Sequence, residues 1–166
     1  MKNKLFFPWL LALQMLLAQG VMAQHAQSSS LLHENMTASN TIEMKKTAML
    51  DNINNYRDSL QLHKLKNDSQ LTTVAQQYAE TIDHTQHFDH QDQHGHWPMK
   101  RISLLFPNHD FVVVGENLSA LDDVQATLKS RKASPAHNGS LIRANCSHIG
   151  IWYYHWYRVV LVSIKR

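Results

Sequence analysis

Cysteine is nearly absent from these 166 residues, with Cys146 the only one. A lone thiol closes no internal disulfide and cannot build a Cys-ligated zinc finger, so neither staple holds this fold. Internal repeats are missing too, which excludes solenoids and propellers. Neither H-E-x-x-H nor G-x-S-x-G occurs, so two common hydrolase signatures are absent. Histidine, by contrast, is abundant: twelve residues, nearly matching the thirteen acids. That number points to metal affinity, pH sensing or simple composition.

The net charge of +3 invites a nucleic-acid or membrane-surface reading, which the N-terminus removes. Lys2 and Lys4 precede an apolar run over residues 5–17, and Val21-Met22-Ala23 supplies a small-residue cleavage site. Residues 1–23 therefore read as a secretory signal peptide. The apolar core falls short of the roughly 20 residues needed to cross a bilayer. Cleavage after Ala23 removes both lysines and no acid, leaving 143 residues at +1. Nothing in that balance favours nucleic acid. No later run of 18 uncharged apolar residues exists, so no membrane span is expected after cleavage. The destination is secreted or periplasmic.

Residues 24–44 are polar, rich in Ser, Asn and Gln, and read as a flexible leader before a domain over 45–166. Met49, Leu50, Ile53, Tyr56 and Leu60 then recur at spacings of three and four, the stripe of an amphipathic helix. Asn67-Asp68-Ser69 offers caps for a second helix, in which Leu71, Val74, Ala75, Tyr78, Ala79 and Ile82 keep the same spacing. A short helix is expected over 99–106. Phe111, Val112, Val113 and Val114 form a β-branched run closed by Gly115. Helical spacing returns over 121–130, and Ser134-Pro135 opens another short helix. Residues 149–164 read as a C-terminal hairpin turning near His155. Helices first and strands mostly last indicate α+β or a layered α/β/α architecture.

Four places can carry chemistry. His84, His87 and His90 share one face if the second helix runs that far, and His94 and His96 follow. Glu116, after the buried run, is either a cleft acid or an exposed turn residue. His137 sits at a helix start, where two histidines and a glutamate can bind Zn²⁺ with an open position or act as acid and base. Cys146 beside His148 reads more simply as a buried structural thiol than as a nucleophile. Asn-x-Ser/Thr sequons stand at Asn35, Asn67, Asn117, Asn138 and Asn145.

Order and spacing of several elements resemble the CAP superfamily, the SCP-like domain of cysteine-rich secretory proteins, antigen 5 and plant pathogenesis-related proteins. The short, disulfide-free bacterial members are most alike. Asn54-Asn55-Tyr56-Arg57 is similar to the family's N-x-Y-R helix, and His87-Phe88-Asp89-His90 to its F-S-H element. Gly115-Glu116-Asn117 matches G-E-N, Ser134-Pro135-Ala136-His137 matches S-P-G-H, and Ile149-Gly150-Ile151 matches the closing I-G-V strand. The resemblance implies a three-layer α/β/α sandwich with a small, mostly antiparallel sheet and a central cleft. Carried over, the cleft residues are His90, His137 and Glu116, with Zn²⁺ or another divalent metal as cofactor. The chain departs from the family at His94, which takes an acidic position, and at Arg131, where Trp is common. The second acid of the cleft has no clear counterpart, while His94 becomes a further candidate ligand. The expected role is a binding module for a small or lipid-like ligand or for an envelope or extracellular protein. A metal-dependent or His/Glu hydrolase, with Glu116 and His137 as candidate catalytic residues, is the alternative. A protein-interaction domain with a vestigial cleft is the third reading.

Overall fold

Strand parity explains the layering. The computed structural model describes the backbone of residues 8–121 and 123–166, and side chains from Gln27 onward except Ser29, Val114 and Asp122. Residues 1–7 of the signal-peptide reading thus lie outside the described residues. The element order is α1 (Pro8–Ser59), β1 (Lys66–Asn67), α2 (Ser69–Thr85), α3 (Pro98–Leu105), β2 (Phe111–Ser119), α4 (Val124–Ala133), α5 (Pro135–Leu141), β3 (His148–Tyr154) and β4 (Tyr157–Lys165). Two compact units divide the chain, one through Thr41 and one from Ile42 to Arg166. In the first, the described backbone is all α1. Residues 24–44, which composition reads as a leader without periodicity, are helical, with most described side chains exposed. Among the described residues, no helix is long and apolar enough to cross a membrane.

In the second unit four strands pair in the order β1-β3-β4-β2, parallel only between β1 and β3. Side chains alternate across a strand, so each face of the sheet collects one parity. Ile149, Ile151, Tyr153, Val160 and Val162 join Met49 and Ile53 of α1, Leu128 of α4 and Leu141 of α5 in one core. Val159 and Leu161 join Leu71, Val74, Ala75, Tyr78, Ala79 and Ile82 of α2 and Ile102 of α3 in the other. Helices therefore cover both faces, and the α/β/α sandwich expected from the sequence is what the chain forms. Every position of the α2 stripe is buried, worth about 2 kcal/mol for each large aliphatic side chain.

The helix ends are set locally. Asp68 accepts from the N–H groups of Gln70 and Leu71 at 2.9 and 3.2 Å, an N-cap that starts α2. Gln86, left-handed at φ 56°, ends it. His84 thus lies on the helix while His87 and His90 lie beyond it, so the three do not form one helical face. α4 starts at Val124 rather than at residue 121, because the Asp123 carboxylate caps it from Ala126 N–H at 2.5 Å. β2 continues past Gly115 to Ser119, where the β-branched run alone predicts a stop.

The N-x-Y-R motif ties α1 to the segment carrying His137. Asn54 exchanges two hydrogen bonds with the backbone of Leu65, at 3.0 and 2.8 Å. The Tyr56 hydroxyl donates to Asn138 Oδ1 on α5 at 3.1 Å. Fully buried Arg57 donates to the carbonyls of His63, Leu141, Arg143 and Cys146. The guanidinium satisfies carbonyls that would otherwise be buried unpaired. Cys146 is free and buried, as the structural-thiol reading expects.

Candidate functional site

Glu116 faces the α2/α3 side of the sheet because β2 bulges just before it. Val113 pairs with Ser163 and Gly115 with Val162, so one extra residue is inserted between them. Phe111 and Val113 before the bulge, and Leu118 after it, pack on the same core. The inserted residue reverses parity, and Glu116 joins that face instead of the α5 face. The reversal sends Gly115 and Asn117 toward α5. Asn117 Nδ2 donates to Ser140 Oγ at 3.0 Å, and a Cβ on Gly115 would lie 2.7 Å from that oxygen. Only a glycine leaves room here for the Ser140 side chain.

Both Glu116 oxygens are taken within the protein. Oε1 meets His90 Nδ1 at 2.9 Å, and Oε2 forms an ion pair with Arg101 Nη2. The glutamate side chain is only 2 % exposed and the arginine 8 %, so this pair is essentially dry. Arg101 Nη1 also donates to the carbonyls of His90 and His96 at 3.0 and 2.9 Å. Its guanidinium lies 3.5 Å over the ring of Tyr78. The Tyr78 hydroxyl donates to the carbonyls of Asp89 and Gln91, and burial pushes its pKa up to about 12. The His90 loop is therefore fixed from behind by a tyrosine on α2 and an arginine on α3.

His137 reaches the cleft from α5, with ring centroids of the two histidines 6.3 Å apart. Its Nδ1 pairs with Ser134 Oγ at 2.8 Å, and Ser140 Oγ donates to its carbonyl at 2.9 Å. Ser134 stands at the N-cap of α5 but spends its hydroxyl on the imidazole instead of capping. Around the pair opens a cleft of about 350 Å³ lined by His90, Glu116, His137, Ser140 and Arg143.

Electrostatics separate the two rings. The hydrogen bond to Glu116 raises the pKa of His90 against the opposing effect of partial burial. Burial, followed by the charges of Arg131 and His90, lowers that of His137. In protein kept in EDTA, His90 is expected to titrate above the ordinary imidazole value and His137 below it, read from ring-proton shifts in NMR. The opposite order would contradict the assigned contacts. The linkage has a definite sign. Stabilisation from His90 is full below its unfolded pKa and is lost as pH rises through the folded value. His137 instead withdraws stability as pH falls below its unfolded value, since its folded pocket resists the proton.

Of the residues singled out from sequence, His90, Glu116 and His137 come together. His94 is exposed and its ring packs beside His96, 5.8 Å between centroids, in a turn held by Asp92. His84 and His87 are exposed and bond to the carbonyls of Glu80 and Gln91. Arg101, Tyr78, Ser134 and Arg143 complete the site, and sequence reasoning does not single out their side chains for it. For Arg101 the sequence holds no signal, since one arginine in a short amphipathic helix reads as surface.

Among the described residues, no group of three or more His, Cys, Asp or Glu is clustered to hold a metal. The donor set of the cleft is two imidazoles. Each has Nδ1 bonded inside the protein, and no described protein group takes Nε2 of either ring. Ligating histidines are commonly held in this way, the second nitrogen on a carboxylate or another protein acceptor. Were an ion held here, His90 and His137 would supply its imidazoles, and their rings, 6.3 Å apart between centroids, would have to draw closer to share it.

The sequence matches the family model described as CAP, the cysteine-rich secretory protein family, over residues 50–158. No curated protein matches it. Among solved structures, it is similar to an outer surface protein from Borrelia burgdorferi, with 23 % identity, TM-score 0.68, and coverage of 74 % of this chain and 94 % of that one. An extracellular SCP-domain protein from Bacillus anthracis follows at 21 % identity and TM-score 0.67, covering 75 % of this chain and 41 % of its own. A cysteine-rich secretory protein from Staphylococcus aureus gives 16 % and 0.64, covering 75 % and 39 %. The chain thus spans about two fifths of the last two. At these identities the likeness is one of fold.

Proposed function

Because the chain belongs to the CAP family, the cysteine-rich secretory protein family, we propose that it is an extracytoplasmic binding module whose cleft holds a divalent metal between Nε2 of His90 and Nε2 of His137. One observation carries this reading. Glu116 and Ser134 occupy Nδ1 of the two rings, which leaves Nε2 of each as the nitrogen available to a ligand of the cleft that both residues line. Zn²⁺ is the first candidate, since imidazole suits it and two protein ligands leave positions for a ligand oxygen. Bound there, it supplies a Lewis-acidic centre. Glu116 orients His90 and stays out of the coordination sphere, because Arg101 holds its other oxygen. The depressed pKa of His137 keeps its lone pair available at neutral pH. The raised pKa of His90 means that metal uptake displaces a proton there.

An extracytoplasmic location is supported by the signal-like N-terminus and by structural relatives described as outer-surface or extracellular. The open cleft suits a small or lipid-like ligand or a segment of an envelope protein.

Calorimetry tests the metal directly. The purified chain is expected to take up about one Zn²⁺, more tightly as pH rises through the imidazole range. His90→Ala with His137→Ala should abolish that uptake, and His84→Ala with His87→Ala should leave it nearly intact. Absence of a saturable site, or uptake surviving the first pair of changes, overturns the reading.

A further inference from the structure

We propose that the ligand of this cleft carries an oxyanion, a carboxylate or a phosphate, received by Arg143 beside His137. The inference rests on the reading of the His90–His137 cleft as a binding site and names the chemistry that it selects.

Charge accounting in the cleft leads there. Glu116 is the carboxylate among the described lining residues, and its charge is spent on Arg101 and His90. Arg143 lines the same cleft from just beyond α5. Its backbone carbonyl serves Arg57, but its exposed guanidinium has no ion pair among the described residues. Arg131, half-buried on α4, lines a separate apolar pocket with Met49, Leu128 and Leu141 rather than this cleft. No described carboxylate or carbonyl meets its guanidinium. Burial lowers its pKa, and its charge is felt at His137.

The cleft thus presents one guanidinium without a counter-ion beside an imidazole pair whose carboxylate is already neutralised, and the charge of Arg131 adds to the positive potential from the neighbouring pocket. Guanidinium offers paired N–H donors that match the two oxygens of a carboxylate or phosphate. A neutral or cationic ligand would leave Arg143 as it is. Gly139 leaves the approach open, since nothing lies within 4 Å of the space its Cβ would fill. A metal held by His90 and His137 would offer the same oxyanion an open position; without metal the oxyanion meets Arg143 and His90.

The experiment uses the full chain, ¹⁵N-labelled, at low ionic strength. It is titrated with acetate and, separately, with methylphosphonate, each in EDTA and after zinc loading. Saturable shifts are expected for the amides of residues 136–140 and for the Arg143 Nε–H resonance. Tighter binding of methylphosphonate would assign a phosphate-bearing ligand, and tighter or equal binding of acetate a carboxylate. Arg143→Gln should weaken binding about tenfold and Arg143→Lys less, because lysine keeps the charge but loses the paired donors. Arg131→Gln should weaken it less, since that residue lines the neighbouring pocket and acts through its charge. Since Arg143 is exposed, its variants remain informative even if Arg131→Gln misfolds. No saturable response to either anion in either state overturns the proposal, as does affinity unchanged in Arg143→Gln. Zinc uptake without anion binding refutes this inference alone. Anion binding in EDTA by a chain that takes no zinc supports it and refutes the metal reading.

Discussion

Glu116→Ala is expected to lower the unfolding free energy by about 3–5 kcal/mol, the cost of stranding one member of a buried ion pair. Arg101 would remain 8 % exposed, still bonded to the carbonyls of His90 and His96 but with no anion beside it. For a domain of this size the midpoint of thermal unfolding should fall by roughly 10–20 °C. Glu116→Gln keeps an acceptor for the arginine and should lose less, which separates the charge from the packing. Adding Arg101→Met to Glu116→Ala should recover part of the loss, since a dry apolar pair avoids the stranded charge. Denaturant unfolding of the four proteins checks this. A change below about 1 kcal/mol in Glu116→Ala would mean that the pair is hydrated and does not hold the His90 loop.

Gly150→Ala should destabilise comparably by a different route. A Cβ at this position of β3 would lie 2.5 Å from both Leu71 O and Thr72 N. Those neighbours are backbone at the start of α2, so no rotamer change relieves the clash. The helix has to lift from the sheet, and the expected cost is about 3 kcal/mol, the upper end for overpacking. Because α2 also carries Tyr78, which holds the carbonyls of Asp89 and Gln91, the His90 loop should loosen with it. Urea unfolding, with amide exchange over residues 89–91, reads both effects. Wild-type stability in Gly150→Ala would show that α2 and β3 pack less closely than described.

Legibility in the sequence follows where the compensating interactions lie. α2 is readable because its own apolar spacing matches its burial, position by position. The continuation of β2 is not, because Glu116, Asn117 and Ser119 are polar yet buried. Their partners are Arg101 and Ser140, 15 and 23 residues away, for Glu116 and Asn117. No window of local hydrophobicity contains those contacts. The histidine-rich stretch misleads in the opposite direction: regular spacing suggests one face, but Gln86 in a left-handed conformation ends the helix before His87. Three of the four candidate ligands nevertheless converge, since the ordered motifs around His90, Glu116 and His137 mark the cleft. Glu116, expected as a ligand, bonds His90 Nδ1 and Arg101. Arg143, which lines the cleft from just beyond α5, is not recognisable from sequence, for a lone arginine in a polar stretch looks like any solvated cation.

Anomalous diffraction at the zinc absorption edge, on crystals of the zinc-loaded chain, tests the central claim most directly. A strong peak is expected about 2.0–2.1 Å from Nε2 of both His90 and His137, with Glu116 still bonded to His90 Nδ1 and Arg101. A peak on His84, His87 or His155 with none between His90 and His137 would contradict it.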